Sequence, residues 1–510
     1  MSAPSIIDLS RTHPPRETKV DVCIVGSGCG GATAAWELAR AGREVLVLEE
    51  GGDYTGGALT MRDAMYDQLY MERGGRATAD LAITVLQGRV LGGGGVINAS
   101  DVVPMGPGVL RHWQQRYGLT ELSPEAIAPF EKLALEDLSA SHPTEEQINP
   151  NNALLREGTK KLGLRGEVML HNRRGCIGFG KCLVGCPIDA KKNPRFVAIP
   201  AAIAAGARFF LRARAARLEH ANAELKTLTV RVLDEKGYHE RDEIVVRART
   251  VILAANAVAS AQLLLRSGVG NAHVGRNLSL QPQLPITALF DREVQLFRGI
   301  PQSWAITEHE RLDDPEHGLW GFRIEGIGGT PGIMSSLLPK LGHEGKAMMR
   351  LLPHMAASLL LVPDAGNGRV LVDRSGRMRI EYAMPDEQKQ RYRDAIRAAA
   401  RVYLAAGARE VLVPLARPLS IRREADLSAV DGVGFEPATA PFLSAHQQGS
   451  VRLSPSPEGG AADPGGQVYG TRGVYVFDSS GFPTSSSSHT MTPIITMSRW
   501  FARRLLAHAG

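Results

Sequence analysis

No apolar run in this sequence reaches the roughly 18 residues that a membrane-crossing helix needs. The longest apolar stretch, Met348 to Val362, is broken by Arg350, Pro353 and His354, so no span is expected. Charge of one sign is also missing. Lysine and arginine number 59 against 53 aspartates and glutamates, and the basic residues are scattered, which leaves no nucleic-acid footprint. Cysteine is scarce, five in 510 residues, and an odd count with three crowded between Cys176 and Cys186 fits no secreted disulfide framework. The polar stretch Met1 to Thr18 lacks the apolar core of a secretory signal. A cytoplasmic protein is the expectation, with peripheral contact to a membrane left open.

What is present is ordinary for a folded globular chain: 44% hydrophobic and 22% charged residues. The length exceeds what one hydrophobic core usually serves, so two lobes are expected, with room to bury a large cofactor.

The first chemical signal comes early. Val20 to Val25 is a mostly apolar, β-branched run. It leads into Gly26-Ser27-Gly28-Cys29-Gly30-Gly31 and then an alanine-rich segment to Ala39, which reads as strand, tight turn and helix. Gly26 permits the turn, Gly28 lets backbone approach a pyrophosphate, and Gly31 lets the helix pack on the strand, with the helix N-terminus facing phosphate charge. A second strand, Glu44 to Leu48, ends in Glu49, where a carboxylate can receive ribose hydroxyls. This is an adenine-dinucleotide site, and taken alone it does not separate FAD from NAD.

Further glycines occur in Gly88-Arg89-Val90-Leu91-Gly92-Gly93-Gly94-Gly95-Val96-Ile97-Asn98-Ala99. Four successive glycines strip one wall of side chains, as backbone running close to a cofactor requires. This segment resembles the first signature of the glucose-methanol-choline (GMC) oxidoreductases, and Trp113, Gly118 and Leu122 to Phe130 resemble the next segment of that family. Ala255 to Gly270 is similar to the second signature, with Asn256 and Ala261 where the family usually has glycine and proline. The C-terminal likeness covers Ala445 to Ser450, Val474 to Thr484 and Ser488 to Thr492.

The resemblance implies an α/β fold: a Rossmann-like FAD/NAD(P)-binding domain with a second α+β substrate-binding cap domain. It implies FAD as cofactor, held by Gly26, Gly28, Gly31, Glu49, Gly92, Gly94, Asn98, Asp478 and Thr490. The catalytic pair it implies is His446 as base and His489 as the group that orients the substrate, with the reverse assignment open. Alcohol oxidation needs a hydride acceptor and a base for the hydroxyl proton, which a flavin and an imidazole supply. The partners expected are a small-molecule alcohol and either oxygen or an external electron acceptor. A lyase of the same fold, with structural FAD, is the alternative from a different class.

Cys176, Cys182 and Cys186, with five and then three residues between them, resemble the cysteine-rich insert of two GMC branches, long-chain alcohol oxidases and FAD glucose dehydrogenases. The resemblance allows an iron–sulfur cluster on these three thiolates, while three reduced thiols packed as small hydrophobes, or a pair in a disulfide, stay open. Cys23 and Cys29 read as packing residues.

The expected segmentation is 19–130 and 196–282 for the first two parts of the FAD-binding domain, and 131–195 for a linking segment with the cysteine insert. Residues 283–440 then form the substrate-binding domain, and 441–510 return to the FAD-binding domain with both histidines. A helix is predicted from about Pro385 to Ala406, with an acidic start and Gly407 after its end. Methionines and leucines between Met348 and Leu361 read as core or as the lining of an adaptable apolar site. A hydrophobic alcohol, long-chain or cyclic, is the preferred substrate, with a sugar or polyol second.

Overall fold

The structure is a computed structural model that describes residues 5–12, 15–338 and 340–508. The strand Glu17–Val25 alternates exposed and buried at first and becomes wholly buried at its end, and Val45–Glu49 is buried throughout. Parallel strands covered on both faces read as such continuous apolar runs. These two pair in parallel, and the sheet extends in the order Ile6–Asp8, Arg208–Leu211, Val45–Glu49, Glu17–Val25, Glu240–Leu253, Lys226–Leu233, Ala213–Glu219. Val474–Val476 lies parallel beside Glu240–Leu253, and the last two strands of the path run antiparallel.

The helix Cys29–Arg40 leaves the end of Glu17–Val25 and is built of small residues because it is crowded. Packed against it are Ala198–Ala204 and the closing helix Met491–His508, whose Ser498 hydroxyl donates to Gly30 O (2.7 Å). A side chain at Gly30 would stand 2.1 Å from Phe477 O.

A second sheet has nine strands. Its order is Leu419–Ile421, Glu410–Val413, Gln283–Leu289, Met355–Leu361, Arg323–Gly326, Trp304–Ile306, Gly166–Val168, with Phe442–Ser444 linking Gln283–Leu289 to Ile83–Val85. Three short strands from outside residues 283–440 thus join it, and three residues are too few for a strand period to show in sequence. The helix predicted from about Pro385 to Ala406 is observed at Asp386–Ala405. Its buried residues Tyr392, Ala395, Ile396, Ala399, Ala400 and Tyr403 fall at helical spacing and form the stripe laid on this sheet. Most of the Met348 to Leu361 series resolves into Gly342–Arg350 and the buried strand Met355–Leu361. Among the described residues, no helix is long and apolar enough to cross a membrane.

Candidate active site

A cavity of about 1140 Å³ runs between the two sheets. One wall is the glycine turn after the first strand. Gly26 has φ +99°, and a Cβ there would meet Ala254 O at 2.4 Å; a Cβ on Gly31 would meet Gly26 O at 1.9 Å. Gly28, Cys29 and Gly30 line the cavity, so the N-terminus of Cys29–Arg40 opens into it, the arrangement that binds phosphate. The second glycine run abuts the first, because a Cβ on Gly93 would come within 2.7 Å of Gly28 Cα. Gly94 meets nothing within 4 Å and borders open cavity. Gly92 instead serves the turn itself, at φ +99° with its N–H donating to Ser27 Oγ (3.1 Å), while Gly93, Gly94 and Gly95 form the wall.

Glu49 closes its strand and accepts from the Ser27 N–H (3.1 Å) and the Gly51 N–H (2.7 Å). Burial raises its pKa, and the hydrogen bonds from Ser27 and Gly51 work the other way. Beside it Glu50, paired with Arg214 at 2.9 Å, also lines the cavity, a residue that sequence reading passed over. Asp478 accepts from Ser260 Oγ (2.6 Å) and from the Ser480 N–H (2.8 Å), which ties the strand Val474–Val476 to the helix Asn256–Ser267. Asn98 donates to Met491 Sδ (3.2 Å), and Thr490 precedes the closing helix; all three line the cavity. Asn256 stands where the GMC pattern has glycine, and the reason is visible. It holds φ +79°, a left-handed conformation that asparagine tolerates, and its Oδ1 accepts from the Val258 and Ala259 N–H groups at 3.0 Å each.

At the far end stand the two histidines, their ring centroids 4.8 Å apart and their planes at 65°. Both are buried. His446 Nδ1 is hydrogen-bonded to the Gln283 side-chain amide (2.8 Å), and burial, then the charge of His489, lower its pKa to about 3. His489 is driven the other way. Burial disfavours its imidazolium, but the Glu325 carboxylate, bonded to Nε2 at 2.8 Å, outweighs burial and holds the pKa above its ordinary value. Glu325 is itself buried, which works against its charge, yet His489 and Arg323 hold it down at about 2. Gln302 Nε2 donates to the same carboxylate (2.9 Å), and Arg323 bonds its other oxygen (2.6 Å) while pairing outward with Glu310 (3.0 Å) and Glu167 (2.8 Å).

Glu325, like Gln283, is a partner of the histidine pair that sequence reading missed. It lies in Arg323-Ile324-Glu325-Gly326, a stretch with the alternation of a half-exposed strand, although all four residues are buried. Nothing local marks the carboxylate as facing an imidazole 164 residues away.

The family profile described as GMC oxidoreductase matches residues 66–283, its C-terminal counterpart matches residues 366–498, and an NAD(P)-binding Rossmann-like domain matches residues 24–86. An uncharacterised GMC-type oxidoreductase of Mycobacterium tuberculosis is 31% identical over 506 residues, spanning 97% of this chain and 77% of its own length. The chain belongs to the GMC oxidoreductase family. It is an oxidoreductase enzyme. Long-chain-alcohol oxidase FAO4B of Arabidopsis thaliana is 28% identical over 509 residues, covering 94% of this chain and 66% of that protein. Pyridoxine 4-oxidase from Mesorbium loti shares the fold at a TM-score of 0.71 and 17% identity, over 96% of this chain and 99% of that one. A formate oxidase of Aspergillus oryzae, studied for the effect of a mutation on FAD modification, does so at 0.70 and 16%, over 97% and 99%.

Membership supports FAD, and the cavity fits it. The side-chain-free wall at Gly93–Gly95, the helix N-terminus at Gly28, the carboxylate at Glu49 and the imidazole pair lie along one continuous space. An iron–sulfur cluster does not find such a fit. Cys176, Cys182 and Cys186 are half-buried free thiols. Among the described residues, no three His, Cys, Asp or Glu side chains gather so as to hold a metal ion. What anchors this insert is Lys191. It is fully buried and donates to Val96 O (2.8 Å), Asn98 O (2.7 Å) and Cys182 O (2.9 Å), and so staples the cysteine loop to the glycine wall.

Proposed function

We propose that the chain oxidises the CH–OH group of an apolar alcohol, with His446 receiving the hydroxyl proton and His489 donating a hydrogen bond to the same oxygen. The observation that carries this reading is the opposite electrostatic fate of two neighbouring imidazoles. Groups whose surroundings push their pKa values apart divide acid and base roles between them. His446, neutral at physiological pH, takes the proton at Nε2, with the Gln283 amide turned so that its oxygen accepts from Nδ1–H; His489, whose cationic form Glu325 favours, presents a donor to the oxygen as negative charge builds on it. FAD, when bound, supplies the hydride acceptor. Gln283 fixes the plane of the base, and Glu325 fixes that of the donor.

The apolar part of the reading rests on the second sheet. Pro285, Leu359, Leu361, Ile327, Met334 and Leu337 line the cavity on that side, and flexible methionine and leucine suit an adaptable hydrocarbon site. The likeness to long-chain-alcohol oxidases points the same way. The test is anaerobic bleaching of the flavin by dodecan-1-ol against glucose. Saturable bleaching by the long-chain alcohol at lower concentration is expected; preference for glucose would transfer the reading to sugars, and no bleaching by any alcohol would reject it.

A further inference from the structure

Gln302 bonds the same Glu325 oxygen as His489. Its Nε2 donates to Oε2 at 2.9 Å, and the imidazole Nε2 meets that oxygen at 2.8 Å. Arg323 Nε donates to the other oxygen (2.6 Å), and the carboxylate so engaged is fully buried. An ionised carboxylate only accepts, so the Gln302 amide is assigned with its nitrogen towards Glu325. The backbone on either side of Gln302 is clamped. Asn152, also fully buried, donates from Nδ2 to Pro301 O (3.2 Å) and accepts at Oδ1 from the Ser303 and Trp304 N–H groups (3.0 Å each). Asn149, at the head of the helix Pro150–Lys161, accepts from the Asn152 N–H (3.0 Å) and donates to Arg298 O (2.8 Å). The clamp reaches Glu325 as well. A Cβ on Gly326 would stand 2.3 Å from Asn152 Oδ1, so the residue after Glu325 has no side chain and the asparagine fits between the two segments.

We propose that Gln302 is a positioning residue that keeps the proton shared by His489 and Glu325 on the imidazole, so that His489 meets the reacting oxygen as a charged donor. Its part in the reaction rests on the alcohol-oxidation reading; the place of the proton does not. The pair has two forms, imidazolium with carboxylate and imidazole with carboxylic acid, and burial favours the second because it carries no charge. Donors to the carboxylate favour the first. Arg323 supplies one at Oε1, and Gln302 supplies one at Oε2, the atom to which the proton would pass. An amide suits that place, because it adds a donor without adding a cation that would repel the imidazolium. The other titratable or charged groups facing the pair are His446, Arg323 and Asp101, with Glu310 and Glu167 beyond Arg323.

The experiment reads the proton first and the rate second. FAD-loaded protein is labelled with nitrogen-15 histidine, and the signals of His489 are assigned by their loss in His489→Asn. Both ring nitrogens of His489 should show imidazolium shifts at pH 7, and in Gln302→Met the Nε2 signal should move towards that of an unprotonated nitrogen. The limiting rate of anaerobic flavin bleaching by dodecan-1-ol should fall about tenfold in Gln302→Met, with KM changed by less than about twofold. Gln302→Glu is the conservative variant: protonated, its hydroxyl donates to Oε2 as the amide does, and ionised it cannot. Its rate relative to native should be near one at pH 5.5 and at least about tenfold lower at pH 9. If Gln302→Met fails to hold FAD, this pH series carries the test. A native His489 unprotonated at Nε2, or one unchanged in Gln302→Met, overturns the proposal. So does a raised KM at an unchanged limiting rate, because Gln302 would then touch the substrate, and so does a Gln302→Glu deficit equal at every pH, which marks packing alone. Absence of bleaching by any alcohol in the native protein rejects the alcohol reading, and the nitrogen shifts still decide where the proton sits.

Discussion

Replacing Glu325 by glutamine keeps the shape of the side chain and a hydrogen-bonding group beside His489, and removes one charge. In the native protein that charge is what overcomes burial at His489; in His446, which has no carboxylate bonded to it, burial prevails and the pKa falls to about 3. In Glu325→Gln, burial and the nearby Arg323 should therefore shift His489 towards its neutral form, against the remaining pull of Asp101. A charge-assisted hydrogen bond contributes about 1.5–3 kcal/mol and a neutral one about 0.5–1.5, so exchanging one for the other costs about 1–1.5 kcal/mol. The expected loss is about tenfold in the rate of anaerobic flavin bleaching by a saturating alcohol. Stability should respond with a definite sign. His489 is raised in the folded chain, so its pairing stabilises the fold fully below its unfolded value of about 6.5 and is lost as pH rises through the folded value. Glu325 is depressed to about 2, so its contribution is present above its unfolded value of about 4.3 and is lost only in acid as pH falls through the folded one. The melting temperature of Glu325→Gln should thus lie further below native at pH 5.5 than at pH 9. An unchanged bleaching rate, or a melting deficit equal at the two pH values, would refute the assignment of His489 as a charged donor.

Single contacts set the other expectations. Gly94→Ala places a methyl group in open cavity and strains nothing, so the apoprotein should unfold within about 0.5 kcal/mol of native while FAD retention falls at least tenfold, read by flavin released on denaturation. Asn256→Gly keeps the left-handed conformation and loses the side-chain caps and the hydrogen bond from Gln87, whereas Asn256→Ala loses these and the conformation as well; urea melts should rank the alanine variant lower by about 1 kcal/mol. Lys191→Met leaves three buried carbonyls without their donor. It should destabilise the chain by about 3 kcal/mol and speed the reaction of Cys176, Cys182 and Cys186 with a thiol reagent in the folded state.

The glycine turn at Gly26 to Gly31, the acid at Glu49 and the glycine run at Gly92 to Gly95 were legible in sequence because each answers a local demand of the backbone: a left-handed φ, a helix packed on a strand, a wall without side chains. The helix at Asp386–Ala405 was legible from its ends, an acidic first turn at Asp386 and Glu387 and Gly407 just beyond its last turn. His446 and His489 were singled out by motif, but sequence could not divide their roles. Their division depends on Glu325, which a central strand of the second sheet delivers to one imidazole and not the other, and a pKa is set by what lies within a few ångströms whatever its distance along the chain. The three cysteines show the converse. Their spacing suggested a shared metal, but among the described residues no three metal-binding side chains gather to hold one, and the fold directs this loop onto the glycine wall through Lys191. Sequence therefore determined the proposed cofactor cradle, which is built from neighbouring residues, and tertiary structure alone decided which imidazole of the proposed reacting pair is favoured in its charged form, because that pair is surrounded by residues that only folding brings into contact.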